Sequence, residues 1–176
     1  MNSQNNWYVI TGPPSSGKTT VLKLLSKKGF KITEEVARKL IDQELKKGRT
    51  LEQIRENEIE FQKAQVNLKI QLEKSLSKNE MIFFDRGMHD SIAYLKKCGI
   101  TDEYELSEIA KLSKYKKVFI FDLLQYSKDY SRTETAEEAK EIDSLLEETY
   151  IKYGHTVVRV PVMKSEKRME FILNNL

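Results

Sequence analysis

Gly12-Pro13-Pro14-Ser15-Ser16-Gly17-Lys18-Thr19 is the stretch whose reading decides the fold. It fits G-x-x-x-x-G-K-S/T. The apolar run Trp7-Tyr8-Val9-Ile10 precedes it, and Thr20-Val21-Leu22-Lys23-Leu24-Leu25, which reads as a helix, follows it. That strand–loop–helix context is what a phosphate-binding P-loop requires. Two glycines let the backbone curl so that N–H groups point inward at phosphate oxygens. The following helix presents its positive end to the same anion. Gly12, Ser15, Ser16, Gly17, Lys18, Thr19 and Thr20 are therefore the expected nucleotide-binding residues. Lys18 can reach the β- and γ-phosphates, and the Thr19 hydroxyl can ligate Mg²⁺. Pro13 and Pro14 fix two φ angles and remove two N–H donors, so the cradle's donors should run from Ser15 to Thr19. A bare motif match would leave a Gly/Pro-rich turn as the alternative; the flanking strand and amphipathic helix favour the phosphate loop.

Working outward, the first strand covers about Trp7 to Thr11, and the helix after the loop runs to about Lys28. Gly29 ends it in the left-handed position that glycine favours. Phe30-Lys31-Ile32 reads as a second strand. Thr33 is then the expected cap of a helix opening at Glu34-Glu35 and closed by Gly48. Thr50 to about Lys78 reads as one long helix capped by Thr50. Ile54, Phe61, Leu68, Leu72 and Leu76 form its apolar stripe, which packs against the domain edge or forms a dimer face. Met81-Ile82-Phe83-Phe84 is a continuous apolar run, as in a strand buried on both faces. Helices over about 90–97, 103–114 and 136–153, strands over 117–121 and 156–160, and a final helix capped by Ser165 complete the chain. Strands alternating with helices imply an α/β fold with a five-stranded parallel sheet covered on both faces. Ligands then bind at the carboxyl ends of the strands. The polar residues there are the P-loop, Glu34 and Glu35, Asp85 and Arg86, Asp122, and the loop over 125–135.

The chain has 176 residues, enough for a single domain with a small lid. Its net charge of +3, with acids and bases interspersed, is not the signature of a nucleic-acid binder. Cys98 is the only cysteine, so no intrachain disulfide can form. His89 and His155 lie far apart in sequence, without the spacing of a histidine metal site. No apolar run of about eighteen residues exists, so no membrane span is expected. The polar start Met1 to Asn6 has no signal-peptide core, which makes the cytoplasm the expected location.

Asp85-Arg86 leaves a strand tip at the level of the P-loop. An acid there can hold Mg²⁺, and an arginine can bridge phosphate oxygens. The alternative is an ion pair that merely caps the strand. Glu35 can accept a proton from a substrate hydroxyl, and Arg38, one turn on, can orient that substrate. Glu34 competes for the same role, and an ordinary helix-start ion pair is the structural alternative. Asp90 is a substrate contact or a helix-dipole acid. Arg132, in Asp129-Tyr130-Ser131-Arg132, can fold over the transferring phosphoryl group from a lid at about 124–136.

These pieces together resemble small P-loop proteins related to the nicotinamide riboside kinase domain of NadR, a family also labelled AAA-type ATPase. The matching segments are Tyr8 through Thr20, Glu35-Val36-Ala37-Arg38, Phe84-Asp85-Arg86-Gly87 on to Tyr94, Asp129 to Arg132, Val157 to Pro161 and Glu166 to Leu173. The resemblance implies a P-loop kinase-like fold with strand order 2-3-1-4-5, ATP or GTP as nucleotide, and Mg²⁺. By position, it makes Glu35 the acidic residue after strand two, Asp85-Arg86 the family's Asp-Arg pair and Arg132 its lid arginine. Tyr130-Ser131 stands where such sequences often carry Gly-Val, so the substrate does not carry over. Three readings follow. The first is a small-molecule kinase with a nucleoside-like acceptor, in which Lys18, Glu35, Asp85, Arg86 and Arg132 carry the chemistry. The second is an NTPase switch read by a protein or lipid partner. The third, disfavoured by the weak net charge, is a polynucleotide kinase.

Overall fold

The computed structural model describes residues 5–124 and 135–176. In chain order the elements are β1 (Trp7–Thr11), α1 (Lys18–Lys27), β2 (Lys31–Thr33), α2 (Val36–Lys46), α3 (Leu51–Arg55), α4 (Glu58–Lys74) and β3 (Ile82–Asp85). They continue with α5 (Met88–Lys97), α6 (Glu103–Lys111), β4 (Lys117–Phe121), α7 (Ala136–Lys152), β5 (Val157–Val160) and α8 (Ser165–Asn174). All pairings are parallel, in the order β2-β3-β1-β4-β5.

The unbroken apolar runs are explained by two separate cores. Side chains alternate across a strand, so each run feeds both faces of the sheet. Tyr8, Ile10, Phe83, Phe119 and Phe121 meet Val21, Leu22 and Leu25 of α1 and Met169 and Ile172 of α8. Trp7, Val9, Ile82, Phe84, Val118 and Ile120 meet Val66 of α4, Met88 of α5, Tyr115 and Tyr150 of α7. With β1 central, the P-loop and the tip of β3 emerge at the same edge, Ile10 lying beside Asp85.

Three expectations are corrected. Thr33 is not a helix cap. It pairs with Phe84 in the sheet, the backbone stays extended through Glu35, and α2 starts at Val36. The stretch from Thr50 to Lys78 is two helices, not one. Thr50 does cap the first, in a reciprocal bond pair with Gln53. Asn57 then breaks the chain by accepting from the Glu60 N–H at 3.1 Å and starting α4. A short amide side chain competes with helix backbone in this way. Ser165 begins α8 without capping it; the first intrahelical acceptor is the Lys164 carbonyl, bonded by the Arg168 N–H at 3.0 Å.

His89 and His155 meet in the second core, their rings 4.3 Å apart among Tyr115, Tyr150 and Tyr153. Burial, then the neighbouring His155, pushes the pKa of His89 down to about 3, so it is neutral at ordinary pH. No helix among the described residues is long and apolar enough to cross a membrane.

Candidate active site

The P-loop is held in a conformation that only part of its sequence tolerates easily. Gly12 has φ 141°, and a Cβ there would lie 2.8 Å from the Phe121 carbonyl oxygen. Gly17 has φ 88° and Ser15 φ 67°, so the loop alternates through left-handed positions that turn successive N–H groups toward one concavity. The Ser16 N–H instead closes a turn on the Pro13 carbonyl at 3.4 Å. Ser15, Gly17, Lys18, Thr19 and Thr20 line an open cavity of about 420 Å³, while Gly12 and Ser16 lie buried beneath the loop. Lys18 Nζ donates to the Gly12 carbonyl at 3.1 Å, the Pro13 carbonyl at 2.8 Å and Ser16 Oγ at 3.2 Å. Burial and then Arg86 lower its pKa to about 7, against the opposing pull of Asp85, Glu35 and Asp90. A bound polyanion would raise it again.

The strand tips complete the cavity. Asp85 ends β3 with no hydrogen bond among the described residues. Burial and the charge of Glu35 push its pKa up to about 6, despite Arg86 and Lys18. Arg86 follows with φ 65°, a left-handed conformation that costs a residue with a Cβ about 1–3 kcal/mol. Its Nε donates to Glu35 at 3.1 Å and its Nη1 to Asp90 at 3.1 Å. Burial raises the Glu35 pKa, but Arg86, Lys18 and Arg38 together outweigh it and hold the carboxyl below its ordinary value. Glu35 lines the cavity, whereas Glu34 is exposed outside it. Arg38 also lines the cavity, on the first turn of α2.

Asp90 is fully engaged by the protein. It accepts from Thr11, from Arg86, from the Gly87 N–H at 2.9 Å and from the Tyr150 hydroxyl at 2.5 Å. Asp122, also at a strand tip, is paired with Arg159 at 2.7 Å, beside Asp143, and does not line the cavity. Asp129 and Arg132 lie outside the described residues.

With this geometry in place, the family match is informative. A family model described as an AAA domain matches residues 7–168. The chain belongs to that family. No curated relative matches it. Among solved structures, the AAA-domain chain is similar to thymidylate kinase from Ehrlichia chaffeensis, at 14% identity and TM-score 0.67, covering 98% of both chains. It is also similar to deoxyadenosine kinase from M. mycoides, at 16% identity and TM-score 0.69, covering 96% and 97%. A NadR protein in complex with NR gives 15% identity and TM-score 0.69, covering 96% of this chain and 49% of that one. At such identities the likeness establishes a P-loop kinase fold.

Two parts of the AAA-domain site escaped sequence reasoning. The first is the face of α4. Of the apolar stripe predicted for it, Phe61 is buried but Leu68 and Leu72 are only half-buried; the helix also buries Gln62, Gln65, Val66, Lys69 and Glu73. Lys69 Nζ donates to the Gly87 carbonyl at 2.8 Å and Ser91 Oγ at 2.9 Å, bracing the turn after Arg86. The signal was present: polar residues at 62, 65, 69 and 73 recur at helical spacing. The second is Arg168 of α8. It is 2% exposed, lies over the Phe121 ring, and donates to the carbonyls of Ser16, of Pro161 at 2.9 Å and of Asp122 at 3.4 Å. Its carbonyl partners include the P-loop itself, and no carboxylate pairs with it among the described residues. Replacing Arg168 with methionine should therefore raise the KM for nucleotide about tenfold, the effect of losing one charge-assisted hydrogen bond. Steady-state kinetics at varied ATP would check this; an unchanged KM would leave Arg168 a packing residue.

Proposed function

We propose that this protein is a phosphotransferase. It binds ATP or GTP at the P-loop and passes the γ-phosphoryl group to a hydroxyl of a small nucleoside-like acceptor. The carrying observation is that Lys18 and Glu35 line one cavity, with Arg86 bonded to Glu35. A site for nucleotide hydrolysis alone needs no room beyond the phosphates; this one has an acidic side chain opposite them and a polar helix for a far wall.

The residues present suit Mg²⁺. Thr19 is exposed at the cavity edge, and Asp85 is an unbonded carboxylate whose raised pKa a nearby cation would lower. When bound with the nucleotide, the ion would neutralise phosphate charge. Magnesium keeps waters and phosphate oxygens as ligands, so two protein groups suffice. Glu35 is charged at neutral pH, so it would accept the acceptor's hydroxyl proton in a hydrogen bond and aim its oxygen at the γ-phosphorus. The new P–O bond forms as the bridge to the β-phosphate breaks, and the nucleoside diphosphate leaves with the electron pair. Lys18 and Arg86 would stabilise the charge that develops, the role also assigned to Arg132, which lies outside the described residues. Arg38 would bind the acceptor, and Asp90, whose oxygens already take four protein donors, would act through Arg86.

Glu35→Gln tests this reading. It should lower transfer about 10²-fold or more, the usual loss of a general base, while the affinity for a nucleotide analogue changes little. Equal loss of both would make Glu35 structural. A second reading, a nucleotide-driven switch, is favoured by α4 lining the cavity, since occupancy would reach that helix directly. ATP turnover that no member of a nucleoside panel stimulates, with no phosphorylated product, would favour the switch.

A further inference from the structure

Arg86 stands at φ 65°, which a residue with a Cβ rarely adopts, and the turn after it is gripped from three sides. From α4, Lys69 Nζ donates to the Gly87 carbonyl at 2.8 Å. From the segment before β4, the Tyr115 hydroxyl accepts from the Met88 N–H at 2.8 Å and donates to Glu73 at 2.5 Å. From α7, the Tyr150 hydroxyl donates to Asp90 Oδ2 at 2.5 Å, while Oδ1 of the same carboxylate accepts from Arg86 Nη1 at 3.1 Å. Backbone strain persists only where the surroundings over-determine it.

Gly87 shows what the turn is built to admit. Its φ of −102° and ψ of −174° are extended values open to any residue, so conformation does not call for glycine here. Space does. A Cβ at Gly87 would lie 2.7 Å from the Tyr150 oxygen and 2.9 Å from the Tyr115 ring. The missing side chain lets the Tyr150 hydroxyl reach Asp90 Oδ2 beside the Gly87 N–H, which donates to the same oxygen at 2.9 Å. Burial, then the Asp90 charge, holds the Tyr150 pKa well above its ordinary value, so the hydroxyl keeps the proton it donates. Tyr150 is fully buried and does not line the cavity, so it reaches the reaction only through Asp90 and Arg86.

We propose that Tyr150 is a positioning residue for phosphoryl transfer. The inference rests on the phosphotransferase reading of the cavity and extends it to a side chain outside the cavity. Tyr150 fixes Asp90, Asp90 fixes the Arg86 guanidinium, and Arg86 Nε holds Glu35 at 3.1 Å. Without the hydroxyl, Oδ2 keeps only the Gly87 N–H among the described residues, and the carboxylate can turn away from the geometry that presents Oδ1 to Arg86 and Thr11. A misplacement of about 1 Å in a positioned group can cost about 10²-fold in rate. The grip on the nucleotide is separate, because the N–H groups of the P-loop supply it.

The test compares Tyr150→Phe with Tyr153→Phe in the full chain. Each removes one hydroxyl oxygen at the C-terminal end of α7. The Tyr153 oxygen is buried without a hydrogen-bond partner among the described residues, so its loss is the packing control. Transfer from ATP with Mg²⁺ is followed by chromatography with adenosine, guanosine, cytidine, uridine, their 2′-deoxy forms and a riboside of a pyridine carboxamide as acceptors. Tyr150→Phe should lower kcat about 10- to 100-fold, the effect of losing a hydrogen bond to a charged group, with the KM for ATP changed less than about twofold. Tyr153→Phe should leave both unchanged. Phenylglyoxal labelling of Arg86, mapped by mass spectrometry, reads the same link without turnover: Tyr150→Phe should be labelled several-fold faster than the wild type, and Tyr153→Phe at the wild-type rate. A tyrosine that merely packs would not separate the two variants in either readout. An unchanged kcat in Tyr150→Phe, equal Arg86 labelling in the two variants, or a loss carried by KM in place of kcat would overturn the inference while the phosphotransferase reading stands. Transfer to no panel member would overturn both.

Discussion

Lys18→Ala should lower nucleotide turnover by about 10²- to 10³-fold or more, the loss seen when a preorganised donor to developing charge is removed. Two consequences of the substitution add. The variant loses the cation aimed at the phosphates, and it loses the three bonds by which Nζ braces the Gly12 and Pro13 carbonyls and Ser16. Global fold should survive, because the strand and helix around the loop are held by the apolar residues of both sheet faces. Circular dichroism and turnover on the same preparation decide the matter. Turnover within tenfold of the wild type, with intact circular dichroism, would remove the P-loop from the reaction.

The second large effect is on stability. Asp90→Ala should cost about 3–5 kcal/mol, as expected when one partner of a buried charge pair is removed. Asp90 is 1% exposed and collects four donors: Thr11 from β1, Arg86 and the Gly87 N–H from the turn after β3, and Tyr150 from α7. Removing it leaves Arg86 short of one of its two carboxylates and takes from Lys69 the strongest of the acidic neighbours that support its ionised form, ahead of Glu73 and Glu35. Urea unfolding would show a lower midpoint, and Asp90→Asn, which keeps an acceptor, would show a smaller loss. Burial raises the Asp90 pKa, but Arg86, Lys69 and the bonds from Thr11 and Tyr150 hold it below the ordinary value. Its contribution is therefore full above the unfolded carboxylate pKa and is lost as pH falls through the lower folded value. A midpoint within experimental error of the wild type would mean that Arg86 and the turn are held by other contacts.

The same cluster shows where sequence reading succeeds and fails. Asp85, Arg86 and Asp90 are close in sequence and follow an apolar run, so local pattern alone draws attention to them. Which of Glu34 and Glu35 faces the cavity is not local. It depends on Thr33 remaining in register with Phe84, which delays the start of α2 and points Glu35 at Arg86. The helix from Thr50 to Lys78 was misread because an apolar stripe is normally the buried one. Here α4 covers a polar cleft as well as a core, so four of the six residues it buries are Gln62, Gln65, Lys69 and Glu73.

Gly12 to Thr19 by itself determined a phosphate loop, and the spacing of the apolar runs determined a parallel sheet between two helical layers. Both are statements about neighbours in sequence, where backbone conformation and side-chain alternation are governed by adjacent residues. The tertiary structure alone decided what stands opposite the loop. Gln65 is 47 residues from Lys18, by difference of their positions, and Arg168 is 152 from Ser16, yet one shares the Lys18 cavity and the other donates to the Ser16 carbonyl. Such contacts are set by how helices pack on the two faces of the sheet. The helical spacing of polar residues marks a face of α4, but it does not say whether that face meets a cavity or solvent, because both occur in the same helical pattern.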